Sequence, residues 1–135
     1  MVRDTCLCLH LQRAARAVAR RFDEALRPLG LTSGQFSLLM SLNRPEPPTI
    51  GQVAGVLAMD RTTLTANLKP LARRGFVDIG VDTADRRSRR LVLTPAGRSL
   101  LAAALPVWCR EHQSVDSAIA DADPDRLRKE LRALC

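Results

Sequence analysis

The chain has 135 residues, 46% of them hydrophobic, which suits a single domain with a modest core. It carries 21 Lys+Arg against 14 Asp+Glu for a net charge of +7, and every cation except Lys69 and Lys129 is an arginine, the side chain suited to bidentate contacts with phosphate and guanine. No run approaches the length of a membrane span, and no glycine-rich phosphate loop, nucleophile elbow or His/acid constellation marks an enzyme, so neither a membrane partner nor a cofactor is expected.

Leu7, Leu11, Ala14, Val18, Phe22, Ala25 and Leu29 recur at three- and four-residue steps, which predicts one long amphipathic helix from about Thr5 to Leu29. Arg27-Pro28 and Gly30 end it. The arginine-rich start imitates a transit peptide, but its apolar spacing runs into Leu26 and Leu29 without a cleavage-like break, so a cytoplasmic protein is expected. Thr32 and Gln35 form a capping box for a second helix that buries Phe36, Leu39, Met40 and Leu42. Asn43-Arg-Pro-Glu-Pro-Pro48 breaks the chain.

Thr49 and Gln52 make another capping box, and Ile50, Val53, Ala54 and Leu57 give the next helix an apolar face. Asp60 is an N-cap for a further helix whose buried stripe is Leu64, Leu68 and Leu71. Arg61, Thr62, Thr63, Thr65, Asn67 and Lys69 are left outward, a set of small hydroxyls, an amide and cations that suits a major groove. Gly75 stops this helix, and Arg73 and Arg74 at its end reach phosphates or the last carbonyls.

Two alternating strands follow, Phe76-Val-Asp-Ile-Gly-Val81 and Arg89-Arg-Leu-Val-Leu93, with Val77, Ile79 and Val81 matched by Leu91 and Leu93. The polar loop Asp82-Thr-Ala-Asp-Arg-Arg-Ser88 joins them, and Arg86, Arg87, Arg89 and Arg90 crowd its tip and return strand. Guanidinium groups on a protruding hairpin can straddle a backbone and enter a narrow minor groove. Arg86 and Arg87 are expected in the groove, Arg89 and Arg90 on the backbone or in the fold, and Asp85 paired with one of the arginines. Thr94 and Pro95 then open a long helix running towards Ala120, kinked by Pro106, with Leu101, Leu105, Trp108, His112, Val115 and Ile119 on one stripe. Asp123-Pro124 starts a last helix carrying Leu127, Leu131 and Leu134.

The order helix, helix, strand, arginine-rich loop, strand describes a winged helix-turn-helix. The hairpin Asp85-Arg-Arg-Ser-Arg-Arg-Leu-Val-Leu-Thr-Pro-Ala-Gly97 resembles the wing signature of the MarR family of bacterial regulators, a DxR…LTxxG pattern. Leu31-Thr-Ser-Gly-Gln-Phe-Ser-Leu-Leu39 is similar to that family's second helix, and Asp60 to Val77 to its recognition helix and first wing strand. Pro70, inside the recognition helix, departs from the pattern and should bend it.

The resemblance covers nearly the whole chain. It implies a mainly α fold with a small β-hairpin wing: a single domain over residues 1–135 in which residues 31–97 form a DNA-binding lobe and residues 1–30 and 98–135 a helical dimerisation lobe. It implies a homodimer on a pseudo-palindromic double-stranded operator, acting as a repressor released by an effector. The rival reading is a winged-helix module that contacts an acidic protein and binds no DNA.

Four cysteines are expected to be reduced in a cytoplasmic chain. Cys6 and Cys8 at its start, with Cys109 in the long helix, are candidate sensor thiols for an oxidant or for a soft metal or metalloid. Beside this stand the plainer readings of Cys109 as a small buried residue next to Trp108 and of Cys135 as incidental. The family's peroxide sensors carry a reactive cysteine in the first helix but assist it with tyrosines, and this chain has none. His112 is expected inside and His10 at the surface. A zinc set of Cys6, Cys8, His10 and His112 has no compact ligand spacing behind it.

Overall fold

Short polar side chains, Thr49, Asp60, Thr94 and Asp123, set four of the helix starts, and the computed structural model, which describes residues 1–119 and 121–135, shows where those caps fall. The order is α1 (Val2–Thr5), α2 (Leu7–Leu26), a 3-10 turn (Arg27–Leu29), α3 (Ser33–Leu42), α4 (Ile50–Val56), α5 (Arg61–Arg73), β1 (Val77–Val81), β2 (Arg89–Leu93), α6 (Pro95–Ala118) and α7 (Pro124–Arg132). The chain forms two compact units, one of residues 1–33 with 106–134, the other of residues 34–105.

In the second unit the Thr49 hydroxyl accepts from the Gln52 N–H at 3.2 Å and the Gln52 side chain accepts from the Thr49 N–H at 3.0 Å, so the predicted capping box forms. The α4–α5 connection is a Schellman turn: Met59 N–H donates to the Ala54 carbonyl and Ala58 N–H to that of Gly55. Its left-handed position is held by Ala58, at φ 49°, where glycine is usual. α5 ends in the same motif, here with Gly75 at φ 79° and Phe76 N–H bonded to the Leu71 carbonyl. α5 continues unbroken through Pro70.

Phe36, Leu38, Leu39, Leu42, Val53, Leu64, Leu68, Leu71, Val77, Leu91, Leu93 and Ala104 are buried. Leu38 replaces the predicted Met40, which is 47% exposed: within one helix turn the core took the bulky neighbour that faces inward. β1 and β2 pair antiparallel with Val77 opposite Leu93 and Ile79 opposite Leu91. The shared face is as predicted, but only its base is covered. Ile79 and Val81, 42% and 56% exposed, stand on the part of the hairpin that projects. At the start of α6, Gly97 N–H donates to the Thr94 hydroxyl, which itself donates to the Gly75 carbonyl at 2.6 Å. A side chain at Gly97 would collide with the Phe76 carbonyl, which explains a glycine there.

In the first unit the predicted long helix runs as α2 with its closing 3-10 turn, and a short α1 stands ahead of it. Cys6 adopts an extended backbone (φ −74°, ψ 102°) that separates α1 from α2, and the helix closes at Leu26 before a 3-10 turn. Arg21 bonds Glu111 at 2.8 Å and the Ser114 hydroxyl at 2.6 Å, and Arg128 grips Asp116 through both carboxylate oxygens while also reaching Asp125. His112 is half-buried, stacked on Trp108 with ring centres 4.5 Å apart and 3.8 Å from Asp116. Asp123 caps α7 as predicted. The predicted approach of α6 to Ala120 falls on a residue outside the described set. Leucines of this unit stay uncovered, Leu7, Leu127, Leu131 and Leu134 among them. No helix is long and apolar enough to cross a membrane, among the described residues.

Candidate nucleic-acid interface

The outward face of α5 begins at its cap. Asp60 Oδ1 accepts from the Thr63 N–H at 2.8 Å and Oδ2 from the Thr63 hydroxyl at 2.8 Å. These bonds to the charged form, the backbone one first, hold the Asp60 carboxyl below its ordinary range and keep it ionised at the positive end of the helix. Thr65 donates its hydroxyl to the Arg61 carbonyl at 2.8 Å. Thr63 and Thr65 therefore commit their hydroxyl protons to the protein and offer outward only acceptor lone pairs. Asn67 donates to the Met59 sulfur at 3.6 Å. Thr62, Lys69 and Arg73 are exposed, with no side-chain partner among the described residues.

Arg61 is also exposed, and it lies along α4: a methyl group at Gly51 would stand 2.9 Å from its Nη2. Gly51 thus leaves room for the guanidinium. Neither Gly51 nor Met59 was singled out in the sequence. A glycine in an otherwise regular helical pattern is the signal that could have pointed to the first, whereas nothing in the spacing marks Met59.

The wing divides its arginines into two kinds. Arg90 donates to the Pro47 carbonyl at 2.7 Å and stands 3.4 Å from Asp82. Arg89 donates to the Arg86 and Ser88 carbonyls, both at 3.2 Å. The guanidinium groups of Arg86 and Arg87 are exposed and engage no partner among the described residues. The predicted ion pair of Asp85 is replaced by a turn: Asp85 accepts the Arg87 N–H at 3.0 Å, and it is Asp82 that holds an arginine. The reason is geometric. Asp82, itself buried, follows the last residue of β1 beside Arg90, while Asp85 is at the tip, where its carboxylate closes a local turn on its own backbone. Hydrogen bonding from Ala84 N–H, and then from Arg90, keeps the Asp82 carboxyl below its usual range.

The cysteines are dispersed. Cys6 is half-buried at the break before α2, and Cys8 is exposed with the Gln12 amide 3.5 Å from its sulfur. Cys109 is exposed, against the expectation of burial beside Trp108: in α6 the two neighbours point about 100° apart, so a half-buried Trp108 turns Cys109 outward. His10 is exposed. No three His, Cys, Asp or Glu residues are grouped to hold a metal ion, among the described residues.

In the unit of residues 34–105 a concavity of about 300 Å3 lies between α3 and α6, lined by Phe36, Met40, Leu101, Ala102 and Leu105 with Asn43 and Arg98 as its polar groups. Leu105, predicted on a covered stripe, is 50% exposed there.

Comparison with known proteins places this geometry. The model of the MarR family matches residues 31–88, from the start of α3 through the wing tip. A DNA complex of the transcriptional regulator MosR of M. tuberculosis is 36% identical, with 96% of this chain and 92% of that chain covered and a TM-score of 0.86. The transcriptional repressor CouR bound to a 23-mer DNA duplex is 28% identical, with 98% of this chain and 94% of that chain covered and a TM-score of 0.85. The transcriptional activatory protein BadR of Rhodopseudomonas palustris is 32% identical over 95 residues, 68% of this chain and 54% of its own length. Across the first curated relatives the match spans only 50% to 61% of their length.

Proposed function

The chain belongs to the MarR family, and on that premise we propose that it is a sequence-specific regulator that binds double-stranded DNA as a homodimer and represses until an effector releases it. The observation that carries this reading is the division of the wing arginines. Arg89 and Arg90 build the hairpin, and Arg86 and Arg87 are left bare at its tip, in the unit that also presents Arg61, Thr62, Thr63, Thr65, Asn67, Lys69 and Arg73 on α5. A fold that only contacted protein would have no need to hold unpaired guanidinium groups at the end of a braced hairpin, whereas a minor groove attracts them.

In this reading residues 31–97 form the DNA-binding lobe, and residues 1–30 with 98–135 form the dimerisation lobe, whose uncovered leucines meet those of a second copy. Thr63 and Thr65, as acceptors, suit the exocyclic amines of adenine and cytosine, and Thr62, Lys69 and Arg73 suit phosphates. MosR and CouR, both solved on DNA, support the same assignment. A cytoplasmic location and the absence of enzymatic activity follow from it.

The effector acts either on the cavity between α3 and α6, as a small organic molecule, or on the thiols. For the latter, the extended backbone at Cys6 frees that residue from helical geometry next to exposed Cys8, so the pair can close on oxidation by a peroxide, two thiols giving one disulfide and water.

Fluorescence anisotropy on the protein's own upstream DNA tests the proposal. Tight, salt-dependent binding by the reduced protein is the expected result, and no affinity for any duplex at low salt would replace this reading with a protein-binding module. Binding that collapses on mild oxidation and returns with a thiol selects Cys6 and Cys8, and equal binding in both states sends the effector to the cavity.

A further inference from the structure

Met59 stands in the turn between α4 and α5, after Ala58 and before the Asp60 cap. Its backbone belongs to the end of α4, since its N–H donates to the Ala54 carbonyl at 2.9 Å. Its side chain belongs to α5: the sulfur receives the Asn67 amide at 3.6 Å, across eight residues of sequence. Asn67 has no other side-chain bond, and it lies exposed on the outward face.

A thioether can only accept. It therefore selects the amide orientation in which the NH2 group turns towards the turn and the carbonyl oxygen turns away. One Nδ2–H is used, and Oδ1 and the second Nδ2–H remain. That acceptor and donor match the N6 amine and N7 of adenine in the major groove. Thr63 and Thr65 are tethered to atoms of α5 or its cap, and Asn67 is tethered from the preceding turn. Restricting the amide beforehand removes part of the rotamer entropy that base contact would otherwise cost.

We infer that Met59 is a positioning residue for base reading, orienting the Asn67 carboxamide so that α5 prefers adenine at the step it contacts. The inference rests on the DNA-binding reading above and deepens it.

The test begins with full-length protein selecting sites from a randomised duplex library. Affinities are then measured for the selected duplex and for versions with each adenine replaced by guanine, using wild type, Met59→Leu, Met59→Gln, Asn67→Ala and the Met59→Leu/Asn67→Ala double variant. The reading is the ratio of matched to mismatched affinity within one variant, which cancels any loss of folded protein. Met59→Leu is expected to lower that ratio about threefold or more at one adenine, a fraction of a full base contact. Its salt slope should stay at the wild-type value. Met59→Gln, which restores an acceptor at similar reach, should retain the ratio, and Met59→Leu should add nothing when Asn67 is already alanine. An unchanged ratio in Met59→Leu overturns the inference. So does an equal loss in Met59→Gln, or a further loss in the double variant, because either would mean that Met59 acts through packing. Wild-type protein that binds no duplex would remove the DNA-binding reading and this inference together, whereas binding with an unmoved ratio would remove this inference alone.

Discussion

Asp82 and Arg90 stand together where the strands open into the wing loop, 3.4 Å apart, and Arg90 also donates to the Pro47 carbonyl at 2.7 Å ahead of α4. One guanidinium thus ties the hairpin to the segment that leads into the helix-turn-helix, beside the bond from Leu91 N–H to the Pro48 carbonyl. The wing is held where its loop begins and free at its tip.

Loss of that tie should loosen the wing without removing its contacts. Asp82→Asn keeps an acceptor for the Ala84 N–H but drops the charge facing Arg90. Affinity should fall for every duplex alike while the slope of log affinity against log salt stays unchanged, because Arg86 and Arg87 keep their charge. The sign with pH follows from the lowered Asp82 pKa. The ionised, tied form is present above the ordinary carboxylate value of 3.8 and is lost only as pH falls through the lower folded-state value. Anisotropy between pH 5 and pH 8 should therefore show no titration from this pair.

Arg86→Ala or Arg87→Ala should behave in the opposite way. Each removes a bare cation, so the salt slope should drop by about one unit while the fold is untouched. Arg89→Ala should weaken binding through the loop, whose Arg86 and Ser88 carbonyls its guanidinium holds. An unchanged slope in Arg86→Ala would mean that the tip does not approach phosphate.

Caps and the α5 stripe were legible because their physics is local: Thr49 with Gln52, Asp60, Asp123 and the Leu64, Leu68, Leu71 spacing all read directly. The candidate face of α5 and the wing was legible for the same reason, as residue types on helical or alternating spacing. What could not be read was choice among near-equivalent partners. Asp82 and Asp85 are both acids beside arginines, and only the burial of Asp82 next to Arg90 decides that it takes that arginine. Met40 and Leu38 compete for one core, and the extended Cys6 lies just ahead of Leu7, where the apolar spacing begins, so nothing in that spacing marks the break. The Met59–Asn67 contact joins two elements and leaves no trace in either one's pattern.

The turn of the helix-turn-helix carries a correctable strain. Ala58 occupies the left-handed region at φ 49°, which costs a residue with a Cβ roughly 1–2 kcal/mol. Ala58→Gly should relieve about 1 kcal/mol of it, with part returned as unfolded-state entropy, and raise the denaturant midpoint at constant m. Gly75→Ala, at φ 79° with open space around its Cβ, should destabilise by a similar amount for the mirror reason.

In the proposed reading dimerisation rests on the first unit, and α7 supplies its sharpest test. A helix of nine residues has little stability of its own in water. Arg128 pins α7 to Asp116 of α6, the two partners pulling each other's titrations towards the charged forms. Yet Leu127 and Leu131 on it, and Leu134 just past its end, remain exposed at four- and three-residue spacing, Leu134 by 63%. A short helix that keeps leucines on one face and charges on the others is arranged to be covered by another surface. If a second copy covers them, Leu131→Glu places a charge in that interface and should shift the protein from dimer to monomer in sedimentation analysis. Binding to a full pseudo-palindrome should then fall steeply, because the two half-sites are no longer engaged together. Affinity for an isolated half-site should stay near wild type, since α5 and the wing are unchanged. A wild-type protein that sediments as a monomer at micromolar concentration, or a Leu131→Glu variant that remains dimeric, would assign those leucines to another partner.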